Sequence, residues 1–420
     1  DRNTGNIFEL IDVVGGTLND FLEVRSPGCV YARGANGFNY EDRDSYAVLV
    51  KVKDNQLGDS NAAFQDVATL TIAVNDVLDT TVATISPSTL PTTGGTITLN
   101  GTDIGPTAKK LAAMATDVDR NNAKTMQLTF VNGASETIVT PYVTTNCQVI
   151  SPSKTIACDV PEGVGSQFTW TLKMGPAASV TKEQTLEFMN GFAYESPVIS
   201  SVTAPSVLST YGGTSFTING AHFGPTSVPT DAIVIKYKRG IVIDDPGGYV
   251  ATGCSVSVAH TEITCSSVPG IGKELTFWIS SLMGSKSNIL SDAGNQAKYD
   301  QPIITSIVTR RLNPNNEGAT ITSNNLRTEG GDVVIISGNN FGPASSSHYT
   351  FLNEEMSRVS YGGQNGQGYI PSNCKVTSQT TLECTTSSGT GANHRWLVTR
   401  GDQQVHSVSS FNTSYGAPVI

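Results

Sequence analysis

Residues 212–225 read Gly212-Gly213-Thr214-Ser215-Phe216-Thr217-Ile218-Asn219-Gly220-Ala221-His222-Phe223-Gly224-Pro225, and close variants of this phrase stand at two other places in the chain. A Gly-Gly turn opens it, Phe216 and Ile218 alternate with polar neighbours, and Phe223 closes it before a Gly-Pro turn. Alternation with a period of two sends every second side chain of a strand into a core, and Gly-Pro ends that strand in a turn. The other copies open at Gly94-Gly95 and Gly330-Gly331, 118 residues to either side of Gly212-Gly213. They run through Thr96 to Asn100 and Asp332 to Ser337, and close on Ile104-Gly105-Pro106 and Phe341-Gly342-Pro343. A period of this length matches one β-sandwich domain of roughly 100 residues and is far longer than a helical solenoid repeat.

Further along each unit comes a cysteine pair: Cys147 with Cys158, Cys254 with Cys265, and Cys374 with Cys384, at intervals of 11, 11 and 10 residues. Two neighbouring strands joined by a tight connection suit that spacing, and a disulfide closing so short a loop contributes roughly 2–3 kcal/mol. Zinc is the competing reading, but the close Cys-x-x-Cys doublets and paired histidines of tetrahedral zinc sites are missing. The seventh cysteine, Cys29, has no counterpart: it is either a buried thiol or paired with a segment outside these residues or with a second chain. The three tryptophans, Trp170, Trp278 and Trp396, lie 12, 13 and 12 residues beyond the second cysteine of their units, which predicts core packing rather than exposed sugar-binding platforms.

The Gly-Gly turn followed by strand, Gly, Phe-Gly-Pro resembles IPT/TIG domains over about residues 81 to 417. That resemblance implies an immunoglobulin-like sandwich for each unit and leaves the role open, because such domains serve receptors, transcription factors and carbohydrate-active enzymes alike. The expected architecture is all-β, a rod of tandem sandwiches at 81–196, 197–301 and 302–417, with 418–420 beginning a further strand.

The first eighty residues have another rhythm. Phe8 to Asp12, Phe38-Asn39-Tyr40-Glu41, the alternating run Tyr46 to Asp54 and the closing Thr71 to Asp79 resemble the later part of a cadherin repeat. The resemblance implies calcium ligands at Glu41, Asp76 and Asp79, since hard carboxylate oxygens are what calcium takes. It also implies that 1–80 is a partial sandwich without its first strands, with a sheet edge left open.

Unit joins repeat as well. Tyr194 to Pro197, Tyr299 to Pro302 and Tyr415 to Pro418 each enclose two residues, and Val198-Ile199, Ile303-Ile304 and Val419-Ile420 follow. One strand thus leads almost directly into the next unit without a Gly/Ser linker, which predicts a stiff rod. Both ends fall inside a unit. Two expectations follow: a section of a longer repeat protein, or subunits that complete one another head to tail by strand donation, which builds filaments.

Composition sets the remaining limits. A formal net charge of −10 with 15% charged residues disfavours nucleic acid, whose phosphates need a clustered basic surface. The densest basic group, Lys236, Lys238 and Arg239, reads as a solvated strand, and Arg310-Arg311 likewise. No apolar run is long enough to span a bilayer. The five histidines, His222, His260, His348, His394 and His406, follow no triad or metal spacing, and His222 reads as a turn residue. No enzyme is expected. Asn100-Gly101-Thr102 and Asn412-Thr413-Ser414 are acceptor sequons for N-linked sugars in a secreted chain. The function expected is that of an extracellular structural or adhesive glycoprotein whose partners are other copies of itself. A receptor or adhesion ectodomain with a heterologous protein partner is the alternative.

Overall fold

The computed structural model describes residues 7–13, 22–25, 29–32, 45–53, 65–73, 80–104, 126–132, 141–174, 184–189, 191–205, 207–239, 248–287, 289–290, 297–312, 320–323, 325–344 and 357–417. Among them the backbone is strand and turn, with one three-residue 3-10 turn at Thr230–Ala232. Among the described residues no helix is long and apolar enough to cross a membrane.

Among the described residues three hydrophobic cores form, each between two sheets. In the first, the sheet Thr145–Ser151, Ser153–Val160, Gly95–Ile104, Thr81–Ser86 faces the sheet Tyr142–Val143, Met126–Asn132, Phe168–Met174, Gln184–Met189. The second repeats this with Val198–Thr203, Ser215–Ala221, Glu262–Ser266, Thr252–Val258 facing Tyr249–Val250, Ile233–Arg239, Leu275–Leu282, Ile289–Leu290. In the third, the sheet centred on Val333–Asn339 faces Arg358–Gly362, Arg395–Arg400, Gln403–His406. The alternating side chains enter the cores as the period-two pattern requires: Ile97 and Leu99, Phe216 and Ile218, Val334 and Ile336 are all buried. Ile104, Phe223 and Phe341, which close the phrase, are each fully buried.

Leu90, Leu208 and Leu326 pair in parallel with Tyr194, Tyr299 and Tyr415, so the end of each sandwich lies beside the segment between its first strand and its Gly-Gly turn. The glycine after each alternating strand is required by close approach. A side chain at Gly101, Gly220 or Gly338 would overlap the carbonyl oxygen of Thr81, Val198 or Ile303 on the adjoining strand.

The tryptophans divide. Trp170 and Trp396 are fully buried in their cores, and Phe130 and Tyr361 stack on them at 4.2 and 4.4 Å between ring centroids. Trp278 does not join its core. Phe277 and Ile279 of the same strand point inward, whereas Trp278 faces the other side of the sheet, with Lys236 and Ile289 as cross-strand neighbours. Its distance from the second cysteine is 13 residues instead of 12, and one residue of register turns a strand side chain to the opposite face. Trp278 is buried all the same, as expected against an exposed platform, but it lies outside the main core cluster, where Phe277 takes the place its counterparts hold.

In the first eighty residues, Ile7–Val13, Ser45–Lys53 and Gln65–Ala73 form a three-stranded antiparallel sheet, and Leu22–Arg25 pairs with Cys29–Ala32.

Candidate functional site

The disulfides Cys147–Cys158, Cys254–Cys265 and Cys374–Cys384 are formed, one in each sandwich, so the zinc reading falls. Cys29 opens the strand Cys29–Ala32. Glu41, Asp76 and Asp79 lie outside the described residues. Among the described residues no group of three or more His, Cys, Asp or Glu side chains is placed to hold a metal ion. Asn100 lies half-buried on a central strand, its amide 3.4 Å from Thr84 Oγ1 and its carbonyl accepting from Thr155 Oγ1 at 2.9 Å. Asn412 sits in the turn before the last strand and donates to the Ser409 carbonyl at 2.9 Å.

The most specific constructions in the chain are the two joins between sandwiches, and both are built from the same parts. Each starts with a tyrosine five residues before the first cysteine. The Tyr142 hydroxyl sits 3.4 Å from the Val164 backbone nitrogen and 3.5 Å from its carbonyl oxygen. Tyr249 holds Ile271 in the same way at 3.0 and 3.2 Å, and Tyr369 holds Thr390 at 3.1 and 2.9 Å. Burial pushes the Tyr142 hydroxyl above the ordinary phenol range, with its hydrogen bond to Val164 pulling the other way, so it is a neutral donor and acceptor here.

The residue so held is a plug. Val164 leaves the first sandwich and is buried within the core cluster of the second, against Gly224. Ile271 of the second meets Gly342 of the third. A side chain at Gly224 would overlap Val164 Cγ1, and one at Gly342 would overlap Ile271 Cγ2. The Gly-Pro turn that ends the alternating strand is therefore also the socket for the preceding sandwich. Its glycines sit at φ +78° and +84°, a conformation that favours glycine as well.

Polar contacts frame each plug. At the first join Asn132 Nδ2 donates to the Met283 carbonyl at 2.6 Å, and His260 Nδ1 lies 2.8 Å from Thr92 Oγ1. His260 Nε2 stands 3.3 Å from Glu162, and His222 Nδ1 stands 3.1 Å from Glu195. At the second join Gln379 Nε2 donates to the Thr210 carbonyl at 2.7 Å, Thr210 Oγ1 to Asn340 at 3.3 Å, and Gln403 Nε2 to the Tyr299 carbonyl at 2.9 Å. The fully buried Arg400 donates from Nε to the Phe341 carbonyl at 2.7 Å and from Nη1 to Ser357 Oγ at 2.9 Å, bracing the socket from inside the third sandwich. Arg239 and Lys273 of the second sandwich reach Asp402 of the third at 3.3 and 3.5 Å.

Two expectations are corrected here. Arg239 is not a merely solvated strand residue, since it pairs across the second join, and His222 is more than a turn residue, since it pairs across the first. The plugs were missed although their spacing is in the sequence: Val164, Ile271 and Thr390 each stand six residues after the second cysteine of their unit.

These features define tandem immunoglobulin-like sandwiches docked through a repeated plug and socket. A family model described as IPT/TIG domain matches residues 197–280, within the second sandwich. No curated protein matches the chain in sequence. Among solved structures, the chain is similar to mouse cadherin-23 EC22-24, with 13% identity, 71% of this chain and 89% of that one covered, and a TM-score of 0.23. It is similar to invasin, a bacterial integrin-binding protein, with 14% identity over 94% of this chain and 70% of that one, at a TM-score of 0.24. A protein crystallised with a xylogluco-oligosaccharide gives 13% identity, 78% of this chain covered and a TM-score of 0.27, and the chain spans 59% of its length.

Proposed function

We propose that the chain is an extracellular structural and adhesive protein, a stiff rod that serves as a subunit of a surface fibre or coat. The observation that carries this reading is the repeated join, in which Val164 fills the Gly224 socket and Ile271 the Gly342 socket. A plug held by its own backbone and buried in the next core fixes the angle between neighbours, which serves reach and load. One disulfide per sandwich suits an oxidising exterior. Assembly is head to tail. The strand Ile7–Val13 pairs with Ser45–Lys53 on one side and has no strand on the other among the described residues, an edge suited to a strand from a neighbouring copy. In this reading the chain is not an enzyme, Asn100 and Asn412 carry sugars, and any calcium sits at Glu41, Asp76 and Asp79. Electron microscopy of the purified chain tests it: filaments with an axial repeat of one chain length support the reading, and isolated elongated monomers at every concentration overturn the assembly.

A second reading, an adhesion ectodomain with a heterologous protein partner, is favoured by one observation. Val143, Val250 and Ile370, each next to a clamping tyrosine, are 44%, 45% and 80% exposed, which gives every sandwich an apolar residue at the same outward position. Mixed-species capture with loss of binding on Ile370→Asp would favour it over self-assembly.

A further inference from the structure

The third sandwich carries the plug loop of the first two, built on the same backbone contacts. Gly163-Val164-Gly165, Gly270-Ile271-Gly272 and Gly389-Thr390-Gly391 stand at the same distance from the second cysteine of their units. The first glycine of each donates to the carbonyl of an equivalent threonine: Thr92 at 2.9 Å, Thr210 at 3.2 Å and Thr328 at 2.9 Å. The second accepts from the backbone N–H of Tyr194, Tyr299 or Tyr415 at 3.0, 2.8 and 2.8 Å, with φ of +109°, +112° and +102°. Tyr369 clamps Thr390 as Tyr142 and Tyr249 clamp the other plugs, and His394 Nε2 lies 3.0 Å from the Thr390 carbonyl.

What differs is the cover. Thr92, Val164 and Gly165 are buried at the first join, and Thr210, Ile271 and Gly272 at the second, whereas Thr328, Thr390 and Gly391 are exposed. The third loop thus keeps its shape with no sandwich seated on it among the described residues, so the shape belongs to the loop and is not imposed by a socket. A surface ordered in advance loses little freedom on binding. At the other end, the first sandwich repeats the strand that leads into a socket. A side chain at Gly101 would overlap Ile104 Cδ1, as one at Gly220 would overlap Phe223 Cζ and one at Gly338 Phe341 Cζ. Gly105-Pro106 follows Ile104 as Gly224-Pro225 follows Phe223, although Gly105 and Pro106 lie outside the described residues. Within the chain Val164 is matched to Gly224 and Ile271 to Gly342, which leaves the Thr390 plug and the Gly105-Pro106 sequence.

We propose that the Gly389-Thr390-Gly391 loop is a docking surface for a second copy of this chain, whose first sandwich receives Thr390 at Ile104-Gly105-Pro106. The contact rests on the head-to-tail reading and adds to it a second point of attachment, apart from the open edge at Ile7–Val13. The residue type favours a separate molecule as the occupant. Val164 and Ile271 are tethered beside their sockets, because the chain runs from Tyr194 to Pro197 and from Tyr299 to Pro302 straight into the sandwich that receives them. A plug that stands in water between encounters is better served by threonine, which has the branched shape of valine with a hydroxyl in place of one methyl. The hydroxyl makes exposure cheaper, and its desolvation makes the docked state weaker, so the contact is reversible. Plug and socket are different surfaces, so such a contact does not close on itself and extends from copy to copy.

The test is sedimentation velocity of the full chain over a range of concentrations. Thr390→Arg blocks the plug and Gly105→Leu the socket, and each alone is expected to weaken self-association roughly tenfold or more. An equimolar mixture of the two is expected to recover association as far as dimers and no further, since one intact plug then meets one intact socket. Thr390→Ile, which restores the apolar plug of the second join, is expected to tighten association roughly three- to tenfold. Circular dichroism with the emission of Trp170 and Trp396 checks that the first and third sandwiches are folded in each variant. Self-association unchanged by Thr390→Arg overturns the plug contact, marks the loop as a polar cap, and leaves assembly by strand donation standing. A mixture that associates no better than its components overturns the pairing with Gly105. A natural chain that stays monomeric at every concentration overturns the docking together with the head-to-tail reading.

Discussion

Val164 belongs by chain to the first sandwich and by packing to the second, where it lies against Gly224 so closely that no other residue type fits at 224. Ile271, also buried, approaches Gly342 as closely at the second join. Two residues of different domains thereby specify one angle, and the sequence repeats that specification.

Gly224→Leu is expected to open the first join without unfolding either sandwich. The substitution meets both the overlap with Val164 and a backbone at φ +78°, for a cost of about 1–3 kcal/mol levied on docking. Solution scattering should show a broader distribution of lengths, and proteolysis should begin at Glu195-Ser196, between the last strand of one sandwich and the first of the next. Unchanged scattering would show that the plug does not set the angle.

Replacing Cys254 and Cys265 together by alanine is expected to lower the stability of the second sandwich by about 2–3 kcal/mol, since the bridge closes a loop of 11 residues. Urea unfolding followed through Trp278, with Trp170 and Trp396 changed to phenylalanine, isolates that sandwich. Companion chains that keep only Trp170 or only Trp396 report the other two sandwiches: a loss confined to the second is the expected result, and a loss in all three would mean that the joins couple them.

What could be read in advance and what could not divide along a physical line. Alternation within one strand places Phe216, Ile218, Val334 and Ile336 in cores, because a strand has only two faces, and the three cysteine pairs span neighbouring strands as their spacing requires. Trp278 shows how thin that margin is: one residue of register moved it to the other face of its sheet, still buried but outside the main cluster. The joins were illegible for another reason. Asn132 meets the Met283 carbonyl across 151 residues, and no local period encodes how two finished sandwiches meet. The repeated tyrosine and plug positions were visible as spacing but had no reason attached until the neighbouring socket was seen. The calcium carboxylates Glu41, Asp76 and Asp79 stay an expectation from resemblance.

Alkaline titration should set four tyrosines apart. Burial raises Tyr142, Tyr194, Tyr237 and Tyr415 above the ordinary phenol value, because the phenolate would be stranded in a core. A group whose folded pKa is raised contributes stability that is complete below the unfolded value, about pH 10, and that drains away as pH climbs past it. These four should therefore ionise only together with loss of strand signal, at a pH above the unfolded phenol value. Ionisation of all 13 tyrosines in one step with the circular dichroism unchanged would contradict the packing.

Asp332 opens the alternating strand of the third sandwich and is fully buried, its carboxylate accepting from the Arg327 backbone N–H at 2.7 Å and from Arg327 Nε at 2.8 Å. The second sandwich solves the same turn with a neutral group: Thr214 Oγ1 accepts from the Ser209 backbone N–H at 2.9 Å, at the equivalent positions. Removing the carboxylate alone leaves that donor and the Arg327 guanidinium without it, so Asp332→Ala should cost the third sandwich about 2–4 kcal/mol. Asp332→Thr combined with Arg327→Ser transplants the neutral solution and should recover most of the loss. Unfolding followed through Trp396 measures both. If the transplant proves as damaging as the alanine, the carboxylate does more than satisfy this turn, and the equivalence of the two sandwiches at this position is wrong.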